Sequence, residues 1–148
     1  MKLEESFEGI TRLFLDTSPV IYYVEEHPQY FAKVEIVFDR IKNSEIIAVA
    51  SPVTIAECLV VPYRLAQTEL QQEYTDLILN NNRIFLAQIN GEIALLASQL
   101  RAKYNLKLPD AFQVAVALEA GCEALLTNNG VFRRVTEIRA IALDDLEL

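Results

Sequence analysis

Three carboxylates and one hydroxyl–amide run follow apolar segments of this chain. Asp16 follows Leu13-Phe14-Leu15, Glu57 lies shortly after Ile46-Ile47-Ala48-Val49-Ala50, Asp110 follows Pro109, and Thr127-Asn128-Asn129 closes Ala124-Leu125-Leu126. Carboxylates drawn into one cleft are costly, since two unit charges 4 Å apart repel by about 4 kcal/mol at an effective dielectric of 20. A hard divalent cation, Mg²⁺ or Mn²⁺, relieves that cost, and oxygen ligands suit it. Such an ion lowers the pKa of a bound water and holds a phosphate oxygen. Taken singly, each acid has an ordinary structural role: Asp16 as a loop acid, Asp110 as a first-turn acid favoured by the helix dipole, Glu57 on a solvated helix face. The chemistry requires that they meet.

The elements that must bring them together are legible. Arg12–Asp16 and Ile46–Ala50 read as short buried strands, and Arg83–Ile89, Ala124–Thr127 and Ile138–Leu143 as three more. Ser18-Pro19 and Ser51-Pro52 each pair an N-cap serine with a proline at the first helical position. Pro28–Asn43 carries Phe31, Val34, Val37, Phe38 and Ile41 at helical spacing. Arg64–Leu79 is amphipathic, Asn90 caps a helix to about Tyr104, and Pro109 starts one that ends at Gly121. Residues 1–11 read as a polar lead-in to a single domain spanning 1–148. Continuously apolar strands separated by helices predict a parallel sheet covered on both faces. Such sheets place their sites at the carboxyl ends of strands.

Composition removes several mechanisms. The 148 residues are 52% hydrophobic with a formal net charge of -8, unlike a simple counterion-release binder of nucleic acid. One histidine, His27 in the turn-like Glu26-His27-Pro28-Gln29, excludes a two-histidine nuclease centre and reads as exposed and inert. The four glycines fit neither GxGxxG nor the Walker A loop. Cys58 and Cys122 form no CxxC and read as buried free thiols of a reducing compartment. The start, Met1-Lys2-Leu3-Glu4-Glu5, is unlike a signal peptide, and no run approaches a membrane span. A soluble, cytoplasmic protein is expected.

Leu15-Asp16-Thr17-Ser18, Thr54-Ile55-Ala56-Glu57, Leu108-Pro109-Asp110-Ala111-Phe112 and Leu126-Thr127-Asn128-Asn129 with Phe132, in that order, resemble the PIN-domain family. The chain is most similar to its VapC-like toxins, over about Leu13 to Leu143. The resemblance implies a three-layer α/β/α PIN-like fold with a central parallel sheet of about five strands. It implies a metal-dependent endoribonuclease, the toxin of a toxin–antitoxin module. Asp16, Glu57 and Asp110 carry over as catalytic metal ligands for Mg²⁺ or Mn²⁺, with Ser18 and Thr127 as supporting hydroxyls. Asn129 takes a fourth ligand position where the family often has Asp. Its amide oxygen can coordinate a cation but adds no negative charge, so a second metal would be held weakly or not at all. The alternative is a catalytically weak PIN-fold module that binds RNA or protein.

Arg101, Lys103 and Lys107 precede Asp110 and offer phosphates a positive rim; cations ending a helix also suit its dipole. Arg64, seven residues past Glu57, is a further candidate for RNA, as are Arg133 and Arg134. The amphipathic faces at 19–41 and 64–79 suit a homodimer or an antitoxin, although core burial explains them equally. A receiver domain would want an acidic pair early and a late lysine. A haloacid-dehalogenase-type phosphatase would want Asp where Ser18 stands. Both are disfavoured.

Overall fold

The computed structural model covers residues 1–148. Its sheet contains β1 (Arg12–Leu15), β2 (Ile47–Ala50), β3 (Ile84–Leu86), β4 (Ala124–Thr127) and β5 (Arg139–Ala142), in the spatial order β3-β2-β1-β4-β5. Every pairing is parallel. Helix α1 (Leu3–Ser6) precedes β1, and α2 (Thr17–Val24), α3 (Phe31–Lys42), α4 (Pro52–Arg64), α5 (Thr68–Ile78), α6 (Gly91–Tyr104) and α7 (Leu108–Glu119) fill connections between strands. The expected α/β/α architecture with five parallel strands is therefore present.

Alternation along each short strand divides the core. Leu13 and Leu15 of β1 face one layer with Ala48, Ala50, Val34, Phe38, Cys58 and Tyr74. Phe14 faces the other, with Val49, Leu125 and the inner sides of α6 and α7. Strands buried on both faces have no polar side to display, which is why they read as continuous apolar runs.

The order of the strands locates the site. The chain moves from β1 outward to β2 and β3, then crosses back to lay β4 on the other side of β1. β1 and β4 thus flank a topological switch point, where neighbouring connections depart in opposite directions and leave a crevice at the carboxyl edge. Asp16 and Thr127 stand at the ends of those two strands.

Several local expectations need correction. Residues 1–11 are not a polar lead-in: Leu3, Phe7 and Ile10 are buried in the first core layer, and Leu3 N–H donates to Glu147 O at 2.8 Å. The apolar residues are too sparse to dominate the segment's composition, yet they share one side. Ser18 is not the N-cap of α2. Asp16 takes that position in an extended conformation, without a side-chain cap bond, because its carboxylate is engaged elsewhere. The helix expected over 64–79 is shorter, because α4 continues through Pro62 to Arg64 and Ala66 turns left-handed (φ 53°) before α5 begins. The third strand is only Ile84–Leu86. Gly121 lies just past the end of α7 at φ +73°, where a side chain would strain the turn.

Candidate active site

Asp16 is only 7% exposed. The Thr127 hydroxyl donates to its Oδ2 at 2.7 Å, and the nearby Thr17 backbone N–H also favours the charged form. Loss of water outweighs both, and the Asp16 carboxyl titrates above the ordinary aspartate value. Repulsion from Asp110 and Glu57 adds to the upward shift.

Glu57 lies in the second turn of α4 and is exposed. Thr17, the first residue of α2, donates its hydroxyl to Glu57 Oε1 at 2.6 Å, which aims the carboxylate toward the end of β1. Asp110 lies in the first turn of α7 and is half-buried. Burial raises its carboxyl above the usual range, Glu57 raises it further, and Lys107 opposes the shift. The three acids expected to converge thus act on one another electrostatically.

A buried polar network fixes the elements that carry them. Ser51 caps α4 by accepting from the N–H groups of Val53 and Thr54, completing a capping box with Thr54. The Ser51 hydroxyl donates to Gln113 Oε1, Gln113 Nε2 donates to Thr54 Oγ1 at 2.9 Å, and Thr54 Oγ1 donates to Leu15 O at 3.3 Å. The last residue of β1, the start of α4 and the helix bearing Asp110 are therefore tied together by direct side-chain bonds. Sequence reasoning found the Ser51 cap and missed Gln113, whose only signal is an amide inside the apolar run Ala111–Ala117. It also missed Thr17 as the partner of Glu57.

The expected supporting residues divide. Thr127 touches Asp16 and also accepts from Asn129 N–H at 2.9 Å. Ser18 Oγ is buried and has no hydrogen-bond partner. Asn129 is exposed, and its side-chain oxygen accepts from Val131 N–H at 3.1 Å, capping the 3-10 turn Gly130–Arg134. Asn128 donates to Tyr22 Oη at 3.3 Å and accepts from Asp144 N–H at 3.2 Å, which anchors the loop after β4.

Beside Asp110 opens a cleft of about 460 Å³ lined by Arg101, Asn105, Lys107, Asp110, Asn129, Val131 and Arg134. Two expected RNA residues, Arg101 and Lys107, are in it. Lys103 is outside the lining, 3.9 Å from Glu137 and 5.1 Å from the Tyr104 ring. Arg64 ends α4, exposed and outside this cleft. Arg133 pairs with Asp145, whereas Arg134 lines the cleft. His27, expected to be exposed, is partly buried against the rings of Tyr22 (4.7 Å) and Tyr30 (5.0 Å).

The donors around Asp16 suit a hard cation. They are oxygens, and a divalent ion offsets both the burial and the added repulsion that raise Asp16 and Asp110. No three of the chain's His, Cys, Asp and Glu side chains are grouped tightly enough to enclose an ion unaided. An ion here would keep part of its water shell, as Mg²⁺ commonly does. Both cysteines are free and buried; burial pushes the Cys122 thiol up to about 12 and the Cys58 thiol up as well. No helix is long and apolar enough to cross a membrane.

Similarity to known proteins agrees with the fold. Among solved structures, VapBC2 from Rickettsia felis bound to a promoter DNA fragment is 18% identical with a TM-score of 0.69, covering 89% of this chain and 98% of that one. A toxin–antitoxin complex from Klebsiella pneumoniae is 22% identical with a TM-score of 0.67, covering 88% and 97%. The sarcin-ricin loop cleaving toxin VapC20 from Mycobacterium tuberculosis is 13% identical with a TM-score of 0.63, covering 76% and 86%. At these identities the likeness is one of fold. No curated protein matches the chain by sequence. The family model described as PIN domain matches residues 13–138. That span takes in every element carrying Asp16, Glu57, Asp110 and Thr127, and the chain belongs to the PIN domain family.

Proposed function

We propose that this protein is a Mg²⁺- or Mn²⁺-dependent endoribonuclease and the toxin of a toxin–antitoxin pair. The observation that supports the reading is that burial, with added repulsion from Glu57, holds Asp16 and Asp110 above the ordinary carboxylate range at the end of β1 and the start of α7. Asp16 and Asp110 would hold the metal, with Glu57 ligating it directly or through water. When bound, the ion supplies charge to a phosphate oxygen and lowers the pKa of a coordinated water. Asp16 contributes a carboxylate oriented by Thr127. Glu57, held by Thr17, is the most solvent-open of the three and the acid placed to accept a proton from water. Arg101 and Lys107 attract the strand.

The partner reading rests on a different face. The largest cavity, about 560 Å³, lies away from the acids, with Tyr23, Val24, Phe31 and Leu77 forming its apolar part and Glu26, Glu35, Glu73 and Asp76 its charged part. It joins the two amphipathic faces noted in the sequence and suits a basic, amphipathic antitoxin segment. Val60, Val61, Tyr63 and Leu65, 48 to 62% exposed around the end of α4, support a homodimer.

The test is cleavage of a mixed RNA pool by purified protein with Mn²⁺ and with EDTA, beside Asp16→Asn. Cleavage that needs metal and disappears in the variant supports the nuclease. Full activity of Asp16→Asn sinks the site assignment. RNA binding without cleavage or Mn²⁺ binding favours the catalytically weak module, which Asn129 makes the second reading.

A further inference from the structure

The cleft beside Asp110 has an unusual balance of charge for so acidic a protein. Three of its seven lining residues, Arg101, Lys107 and Arg134, are cations, and Asp110 is the one acid. None of the three cations is in a salt bridge; the chain's ion pairs are Lys103–Glu137 and Arg133–Asp145. Two of them are nevertheless held in place. Arg101 Nη1 donates to Leu106 O, and Arg134 Nη1 donates to Asn105 O at 3.2 Å and Tyr104 O at 3.4 Å. Carbonyl anchoring fixes a guanidinium without neutralising it, leaving other N–H donors for an anion. Lys107 makes no side-chain hydrogen bond and holds the N-cap position of α7, whose N-terminus no side chain caps.

Asn129 fits the same pattern. Its oxygen is committed to Val131 N–H, which directs the amide NH₂ away from the 3-10 turn, and that NH₂ has no partner in the protein. An aspartate here would keep the cap but offer only acceptors, opposing an anion in the cleft. The amide instead adds a donor.

We propose that Arg101, Lys107, Arg134 and Asn129 form a phosphate subsite of the active-site cleft. It takes the phosphodiester next to the scissile one on a single RNA strand. The placement beside a scissile bond rests on the nuclease reading; binding at this subsite does not. On this proposal Asn129 belongs to substrate rather than to a second metal.

The test uses a mixed-sequence nine-nucleotide RNA and the full chain in EDTA, with affinity read by fluorescence anisotropy between 50 and 200 mM salt. Lys107→Gln and Arg134→Gln are each expected to weaken binding about five- to tenfold. Each should flatten the log–log salt slope by about 0.7, the share of one single-strand phosphate contact. Arg134→Lys should retain the slope, and Asn129→Asp should weaken binding about fivefold or more. Arg40→Gln, on α3 in the opposite layer, should change neither. Unchanged affinity and slope in Lys107→Gln overturn the subsite, and that variant breaks no bond in the folded protein. Cleavage assays decide the nuclease reading separately. RNA held by these cations in a chain that cuts nothing leaves the subsite standing, whereas cutting with unmoved variants removes the subsite alone.

Discussion

The Thr127 hydroxyl donates to Asp16 Oδ2 at 2.7 Å, joining the carboxyl ends of β4 and β1 across 111 residues of chain. It gives the most buried acid of the site a fixed orientation, and the same oxygen accepts from Asn129 N–H. Thr127→Val should drive Asp16 further above the ordinary aspartate value and leave the Asn129 N–H unpaired. The expected outcome is a rise in the acid-limb pKa of the cleavage pH profile and a stability loss of about 1–3 kcal/mol. Thr127→Ser should restore both. Denaturant unfolding beside a pH–rate profile checks this, and a stability loss with no movement of the profile would leave Thr127 a purely structural residue.

Asp16 and Asp110 both titrate above the ordinary aspartate value of 3.8, chiefly because burial disfavours their charged forms. Between the unfolded and folded pKa values the folded state binds more protons than the unfolded state. Their contribution to stability is therefore fully present below about pH 3.8 and is lost as pH rises through the raised values. Metal-free wild type is expected to lose Tm relative to Asp16→Asn across that window. Mn²⁺ should recover the loss at pH 7 and progressively less toward pH 4. Parallel Tm curves for the two proteins would rule out this account of Asp16.

Gln113 is fully buried and satisfies both Ser51 and Thr54. Gln113→Leu leaves the Ser51 hydroxyl proton without an acceptor and removes a donor to Thr54 Oγ1, and should cost about 1–3 kcal/mol. It should also lower kcat with little change in KM, because α4 and α7 lose the bond that sets Glu57 against Asp110. Urea unfolding with steady-state kinetics checks both parts. An unchanged kcat in a destabilised variant would confine Gln113 to a packing role.

Glu73 and Asp76 line the largest groove, away from the acids of the site. Glu73→Lys with Asp76→Lys should abolish inhibition by a basic antitoxin segment while RNA cleavage by the free protein stays within about twofold. Electrostatic attraction of this kind acts mainly on association and weakens with salt. Titration of the antitoxin against both proteins at two salt concentrations is the measurement. Equal inhibition of the two would place the partner on another face.

Much was determined by the sequence. Short apolar runs alternating with helical periodicity required a parallel sheet, because a strand buried on both faces has no polar side. The four motifs in order pointed to the PIN family, and Ser51-Pro52 and Asn90 started α4 and α6 as read. These features depend on a residue and its near neighbours. Leu3, Phe7 and Ile10 escaped notice because burial at a chain end depends on what the rest of the fold leaves uncovered.

Only tertiary structure decided which charges share a cleft. Arg101, Lys103 and Lys107 are equivalent in sequence, yet Lys103 is drawn to Glu137, while Arg101 and Lys107 meet Arg134 from beyond β4. Gln113 reads as a stray amide in an apolar helix until Ser51 and Thr54 come up against it. Strand order placed Asp16 beside Thr127, because β4 returns to the free side of β1. A spacing pattern records which face of its own element a residue occupies. Electrostatic coupling and desolvation depend on distances between elements, and those exist only once the sheet has assembled.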